Sequence, residues 1–227
     1  MTDVNIAITT GIGADGLIYK GGSNNNYGTN AIIQVWAYAA GMIKSLLRFD
    51  LSLIPSGAII SAATLMLTST DNFTSSTFNI YKITDANGDW IEGTVTGSAE
   101  IGSPCWSKKV YNTVNWAGSA GLETAGMDYV NTIIATATGA LTKDTGIGLV
   151  FNAAGLEVLQ SWFGAANNNG LLFVTTGTSG SGYIFHSKQA TTAEYRPVLS
   201  ITYTEAGGLH RINMNAQMQS LNGGMHG

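Results

Sequence analysis

The chain has 227 residues, 44% hydrophobic and 11% charged, and 10 Lys and Arg against 14 Asp and Glu leave a net charge of −4. The apolar share is enough for a core and excludes wholesale disorder, while the acidic balance argues against nucleic acid or an anionic membrane surface as a partner. One cysteine, Cys105, excludes an internal disulfide and a Cys-rich zinc site and reads as a small buried hydrophobe.

In chain order, Met1 to Asn5 offer no basic region leading into an apolar run, so no signal peptide is expected. No stretch approaches the ~18 apolar residues of a membrane helix. Val4 to Thr9 reads as a strand. Gly11-Ile12-Gly13-Ala14-Asp15-Gly16 spells G-x-G-x-x-G, but a dinucleotide site needs a helix opening at the third glycine. Leu17 to Lys20 reads instead as another strand, and the glycines as turn residues. Strands are predicted at Ile32 to Tyr38, Ser45 to Leu51, Ala63 to Thr68 and Phe78 to Thr84. In the second of these, Leu47, Phe49 and Leu51 take one face, Arg48 and Asp50 the other. Further strands are predicted at Gly146 to Phe151, Leu171 to Thr176, Tyr183 to Ser187 and Val198 to Thr204. Leu156, Leu159 and Phe163, at i, i+3 and i+7 with Val158 and Trp162 beside them, predict one short helix.

After Glu205 the pattern changes. Ala206-Gly207-Gly208 reads as a hinge, and Leu209, Ile212, Met214, Met218 and Leu221 supply apolar side chains for docking on a partner. The expectation is an all-β chain: an antiparallel β-sandwich of jelly-roll type with one short helix and an extended C-terminal tail. Its predicted parts are an N-terminal arm at 1–12, the sandwich at 13–205 and an anchoring tail at 206–227.

Chemical motifs are sparse. His186, His210 and His226 build no Ser-His-Asp arrangement. Asp85, Asp89, Glu92 and Glu100 crowd one loop region, where acids are more readily solvated or cation-bound than catalytic, so no catalytic residue is assigned. Asp85, Asn87 and Asp89 place oxygens at alternating positions, a weak candidate for Ca2+; no other cofactor is expected. The aromatics are more informative. Trp36, Tyr38, Trp90, Trp106 and Trp116 sit in or beside polar, Gly-rich stretches, the residue types that stack on sugar rings, and are the candidate carbohydrate-binding set.

Several short motifs follow one another in order: Asn26-Tyr27-Gly28, Leu46 to Leu51, Ile54 to Ala58, Ile60 to Leu65, Trp90 to Thr94, Cys105-Trp106, Trp116, Ser161-Trp162, Asn169 to Leu172, Phe185 to Lys188 and Arg196 to Leu199. Over Asp15 to Thr204 this set resembles the DNRLRE-type domain, a jelly-roll module related to carbohydrate-binding modules. The resemblance implies a non-catalytic sandwich that binds polysaccharide and is commonly appended to extracellular enzymes and adhesive proteins; Trp90, Glu92 and Trp106 match its pattern. Joined to the surface-type composition, the missing export signal and the tail, it leads to the expectation of a bacteriophage structural protein. That protein would be a non-enzymatic capsid decoration at the virion surface, extracellular after lysis. It would be homo-oligomeric or joined to other capsid or virion subunits, with weak multivalent affinity for glycans. The alternative is a polysaccharide-binding module of a secreted carbohydrate-active or adhesive protein.

Overall fold

The computed structural model describes residues 4–8, 12–39, 41–52, 54, 57–163 and 168–205. The docking residues expected at Leu209, Ile212, Met214, Met218 and Leu221 lie outside them. Among the described residues thirteen strands run in chain order: β1 (Val4–Ile8), β2 (Ile12–Tyr19), β3 (Asn26–Tyr27), β4 (Ile32–Tyr38), β5 (Gly41–Phe49), β6 (Ala58–Thr68), β7 (Phe73–Lys82), β8 (Thr96–Ser98), β9 (Ala135–Leu141), β10 (Gly146–Val150), β11 (Leu171–Thr175), β12 (Ser181–His186) and β13 (Val198–Glu205). The predicted helix is α1 (Ala153–Ser161), with the Asn152 side chain capping it by accepting the Gly155 N–H at 3.0 Å.

The strands form an antiparallel β-sandwich. One sheet has the order β1-β13-β6-β10; the other runs β12-β4-β5-β11-β7-β9, with β2 paired to the remaining edge of β5. Val4 to Ile8 therefore belongs to the first sheet through β13 rather than forming a free arm. Gly13 and Gly16 lie inside β2, not in a turn, and the strand runs on to Tyr19 before a single 3-10 turn at Lys20–Gly22, so no helix opens at the third glycine.

Between the sheets lies the main core. Leu47 and Phe49 of β5, Phe78 and Ile80 of β7, and Leu171 and Phe173 of β11 meet Leu65 and Leu67 of β6 and Leu199 and Ile201 of β13. Alternation explains each set, with one informative break. In β6 the buried residues are Ala58 and Ile60, then Ala63, Leu65 and Leu67. The parity changes because Thr202 faces Ala62 whereas Tyr203 faces Ile60, so one residue of β6 is left over in a bulge and the core face is recovered after it.

The strand reading of Ser45 to Leu51 needs a correction on its outer face. Lys44, Ser45, Leu46 and Leu47 are all buried, and Arg48 is half-buried. Residues 84–134 fold back as a roof over the outer side of β2, β5 and β11 and create a second core of Ala14, Ile18, Leu46, Leu172, Ile83, Trp90, Trp106, Trp116 and Leu122. β5 thus carries apolar residues on both faces because both are covered.

Candidate functional site

The roof contains little regular structure, so side chains must satisfy its main-chain N–H groups. Asp128, fully buried, accepts from the N–H groups of Gly118, Ser119 and Thr124 at 2.8–2.9 Å and from Asn87 Nδ2 at 3.1 Å. Lys44 reaches up from β5 and donates to the carbonyls of Gly121 and Leu122 at 2.9 and 3.0 Å, with Trp106 at 5.6 Å from its ammonium. Burial disfavours that ammonium and brings its pKa down to about 8. Gly121 has φ +75°, and a Cβ there would stand 2.3 Å from the Trp106 ring, so only glycine fits between them.

This roof decides the fate of three predicted sugar-binding aromatics. Trp90, Trp106 and Trp116 are 1%, 4% and 3% exposed and pack in the second core. The Trp90 N–H donates to the Asn169 carbonyl at 2.9 Å, and Arg48 lies 4.7 Å from its ring while donating to the Gly88 and Trp90 carbonyls. The Trp116 N–H donates to the Cys105 carbonyl at 3.0 Å. Their ring faces are occupied by protein, so they hold the roof down and present nothing to a ligand.

Trp36 and Tyr38 have a different setting, at the turn joining β4 to β5. Trp36 is half-buried and Tyr38 is 43% exposed. Tyr19 and Trp36 flank Ile43 in adjacent strands and so share one face of the sheet. Ring centroids lie 6.2 Å apart for Tyr19 and Tyr38, 6.0 Å for Trp36 and Tyr38, and 5.9 Å for Trp36 and Phe73. Gln34 Nε2 donates to the Tyr38 hydroxyl at 3.2 Å and fixes its direction. Beside Tyr38 opens a shallow depression of about 350 Å3, lined by Lys20, Ala37, Ala39, Gly41, Met42 and Glu123. Lys20 and Glu123 face each other across 3.9 Å. An exposed aromatic ring next to an ammonium and a carboxylate offers a stacking surface with hydrogen-bond partners beside it.

The expected cation set does not converge. Asp85 accepts from Asn169 Nδ2 and faces Lys82 at 3.6 Å. Asn87 is turned into the roof, its Oδ1 accepting the Ala117 N–H at 2.9 Å, and Asp89 pairs with Lys109 at 2.6 Å. Each oxygen is engaged in a different direction, because the one-turn helix at Asp85–Asn87 rotates successive side chains apart.

A second polar cluster involves an acid the sequence patterns do not single out. Asp15, 1% exposed on β2, accepts the Lys188 N–H on Oδ2 at 2.8 Å. Its Oδ1 faces no donor. Glu92 lies beside it, pairs with the Lys188 ammonium and accepts from Gln189 Nε2 at 2.5 Å. Burial pushes the Asp15 carboxyl up to about 7, opposed by the Lys188 main-chain bond and reinforced by the Glu92 charge. The main-chain carbonyl of Glu92 closes tightly on Gly28, where a Cβ would sit 2.1 Å from it. This acid is sealed from any substrate and ties β2 to the 92 and 188 loops.

Residues 9–116 match carbohydrate-binding module family 96. The match covers just under half of the chain, and the similarity is to a family of binding modules. It takes in Tyr19, Gln34, Trp36 and Tyr38 of the rim and the three roof tryptophans, and stops before Glu123. No curated protein matches the chain. Tyr19, Lys20, Gln34 and Glu123 are the site residues that sequence patterns missed: Tyr19 and Lys20 follow a glycine motif read for its turns, and Glu123 is one acid in an aperiodic loop.

Proposed function

We propose that the protein binds polysaccharide at the aromatic rim beside the β4–β5 turn and performs no chemistry on it. The observation that carries this reading is the exposed Tyr38 ring, which borders an open depression, is oriented by Gln34 and is backed by Trp36 and Tyr19. Sugar rings stack their C–H faces on such aromatics, while Lys20 and Glu123 supply partners for hydroxyls. The likeness of residues 9–116 to a carbohydrate-binding module family supports it independently. A shallow, open surface gives weak single-copy affinity, which multivalent display raises.

Glycan-array screening followed by calorimetry tests the proposal. Tyr38→Ala and Trp36→Ala should each weaken binding about tenfold or more, the ~1–3 kcal/mol that aromatic stacking contributes per ring in comparable ring-stacking sites. Unchanged affinity in both variants would place the ligand elsewhere.

Presentation on a virion surface is the finer proposal. Its support is compositional: a chain poor in charge and rich in glycine. Detection of the chain at symmetric positions on purified particles would support it. Absence from particles, together with strong single-copy glycan binding, would favour a module of a secreted carbohydrate-active or adhesive protein.

A further inference from the structure

The outer face of the four-stranded sheet is a second surface that the fold leaves bare. Strand alternation and the bulge turn Ile59, Ser61, Ala62, Thr64, Met66 and Thr68 of β6 away from the core. The register sets Gly148 and Val198 on either side of Met66, and Val150 and Ser200 on either side of Thr64. Ile59, Met66 and Val150 are 57%, 38% and 67% exposed. Among the described residues, the only other large apolar side chain exposed on a strand is Tyr38 at the rim. The Met66 side chain lies along β10: a Cβ on Gly148 would stand 3.0 Å from its sulfur and one on Gly146 3.1 Å from its methyl, so the two glycines keep this end of the face flat. No Asp, Glu, Lys, Arg or His occurs in β6, in β10 or in β13 before Glu205. A solvated face of an antiparallel sheet ordinarily carries polar and charged side chains; this one carries aliphatic and small uncharged ones.

We infer that this face binds a second copy of the chain, sheet against sheet. Charge selects a copy as the occupant: each chain carries a net −4, so two copies meet at least cost through a face that holds no charge. The relief of the face fits itself as well. Apolar side chains stand at both ends of β6, Ile59 at one and Met66 with its neighbours Val150 and Val198 at the other, and the smaller Ser61, Ala62, Thr64 and Ser200 lie between them. A two-fold axis in the contact plane, crossing β6 near Ala62, lays the two β6 strands over each other in opposite directions. Ile59 of each copy then meets Met66 of the other, the reciprocal contact of a two-fold interface, in the aligned stacking by which sheets pack ~10 Å apart. Strands ~4.8 Å apart rising ~3.3 Å per residue give a projected area of about 450 Å2 per copy, and side-chain relief adds accessible surface to it. That is the lower end of specific interfaces and places the dimer in the micromolar range rather than among permanent ones. Tyr38 lies on the other sheet, so both rims stay open and the pair displays two of them. The inference stands whatever the rim binds.

Sedimentation equilibrium of the full chain over a range of concentrations is the test, with circular dichroism to confirm that each variant folds. Wild type should pass reversibly from monomer to dimer as concentration rises. Ile59→Glu, Met66→Lys and Ala62→Arg should each weaken the dimer about tenfold or more, because each buries an unpaired charge in the contact. The double variant Ile59→Glu/Met66→Lys should recover most of that loss, since the two new charges face each other twice across the axis; a variant that had merely lost its fold would not recover. Monomers at every concentration would overturn the inference and leave the face to another occupant. A dimer indifferent to all three single variants would overturn it too, since association would then use a different surface. Losses in the single variants with no recovery in the double one would overturn the reciprocal pairing of Ile59 with Met66.

Discussion

Trp90 and Tyr38 look alike in sequence, aromatic residues in polar, glycine-containing surroundings, yet one is buried and the other exposed. Their neighbours along the chain do not separate them. The partners that bury Trp90 are distant: the Asn169 carbonyl takes its N–H and the Arg48 guanidinium covers its ring. Burial of an aromatic is set by tertiary contacts, whereas residue type and local polarity report only what the side chain could do. The two residues should therefore respond differently to truncation. Trp90→Ala should cost ~3–5 kcal/mol of folding stability by leaving a cavity under the roof. Tyr38→Ala should cost about 1 kcal/mol or less, with its effect in ligand binding. Chemical denaturation of both variants measures this, and equal losses would contradict the division into packing and ligand-facing aromatics.

β2 and β5 show how far an element can be read. Period-2 alternation located β5 and its inward residues Leu47 and Phe49, but it put Arg48 on the other face without a cover, because the roof above it lies 40 or more residues away in the chain. The bulge in β6 escaped notice for a related reason: a one-residue parity change between Ile60 and Ala63 has meaning only against the register of β13. β2 carries the titrating element. Asp15 binds its proton more tightly in the fold, at about 7, than in the unfolded chain, at 3.8. The folded state therefore holds the extra proton between those values, and stability should fall as pH rises from about 4 to about 7 and change little from this group above that. Asp15→Asn removes the titration while retaining an acceptor for the Lys188 N–H and a donor toward Glu92. The variant should lose this slope and gain up to about 4 kcal/mol at pH 8 relative to its difference from wild type at pH 4. Parallel pH–stability curves for the two proteins would show that Asp15 is not the group responsible.

At the scale of the whole molecule, the sandwich was legible because each sheet has a covered inner face and writes that face into alternating residues: Leu65 and Leu67, Leu171 and Phe173, Leu199 and Ile201. The roof was not legible. It is built from turns, pinned by Asp128 and Lys44 to main-chain atoms, and such bonds impose no period on the sequence. Of the candidate site, Trp36 and Tyr38 were visible from residue type; the depression, Tyr19 and Glu123 required the fold to bring β2, β5 and the roof together. The architecture that results is a two-core scaffold that leaves the aromatic margin at Tyr38 open. Its central claim is that sugar meets protein at that margin. The most direct measurement is aromatic NMR during titration with the polysaccharide fragments selected by the array. The rings of Trp36, Tyr38 and Tyr19 should shift with saturation, while Trp90, Trp106 and Trp116 stay in place. Saturable shifts confined to the three buried tryptophans, or to residues remote from the roof margin, would contradict the account.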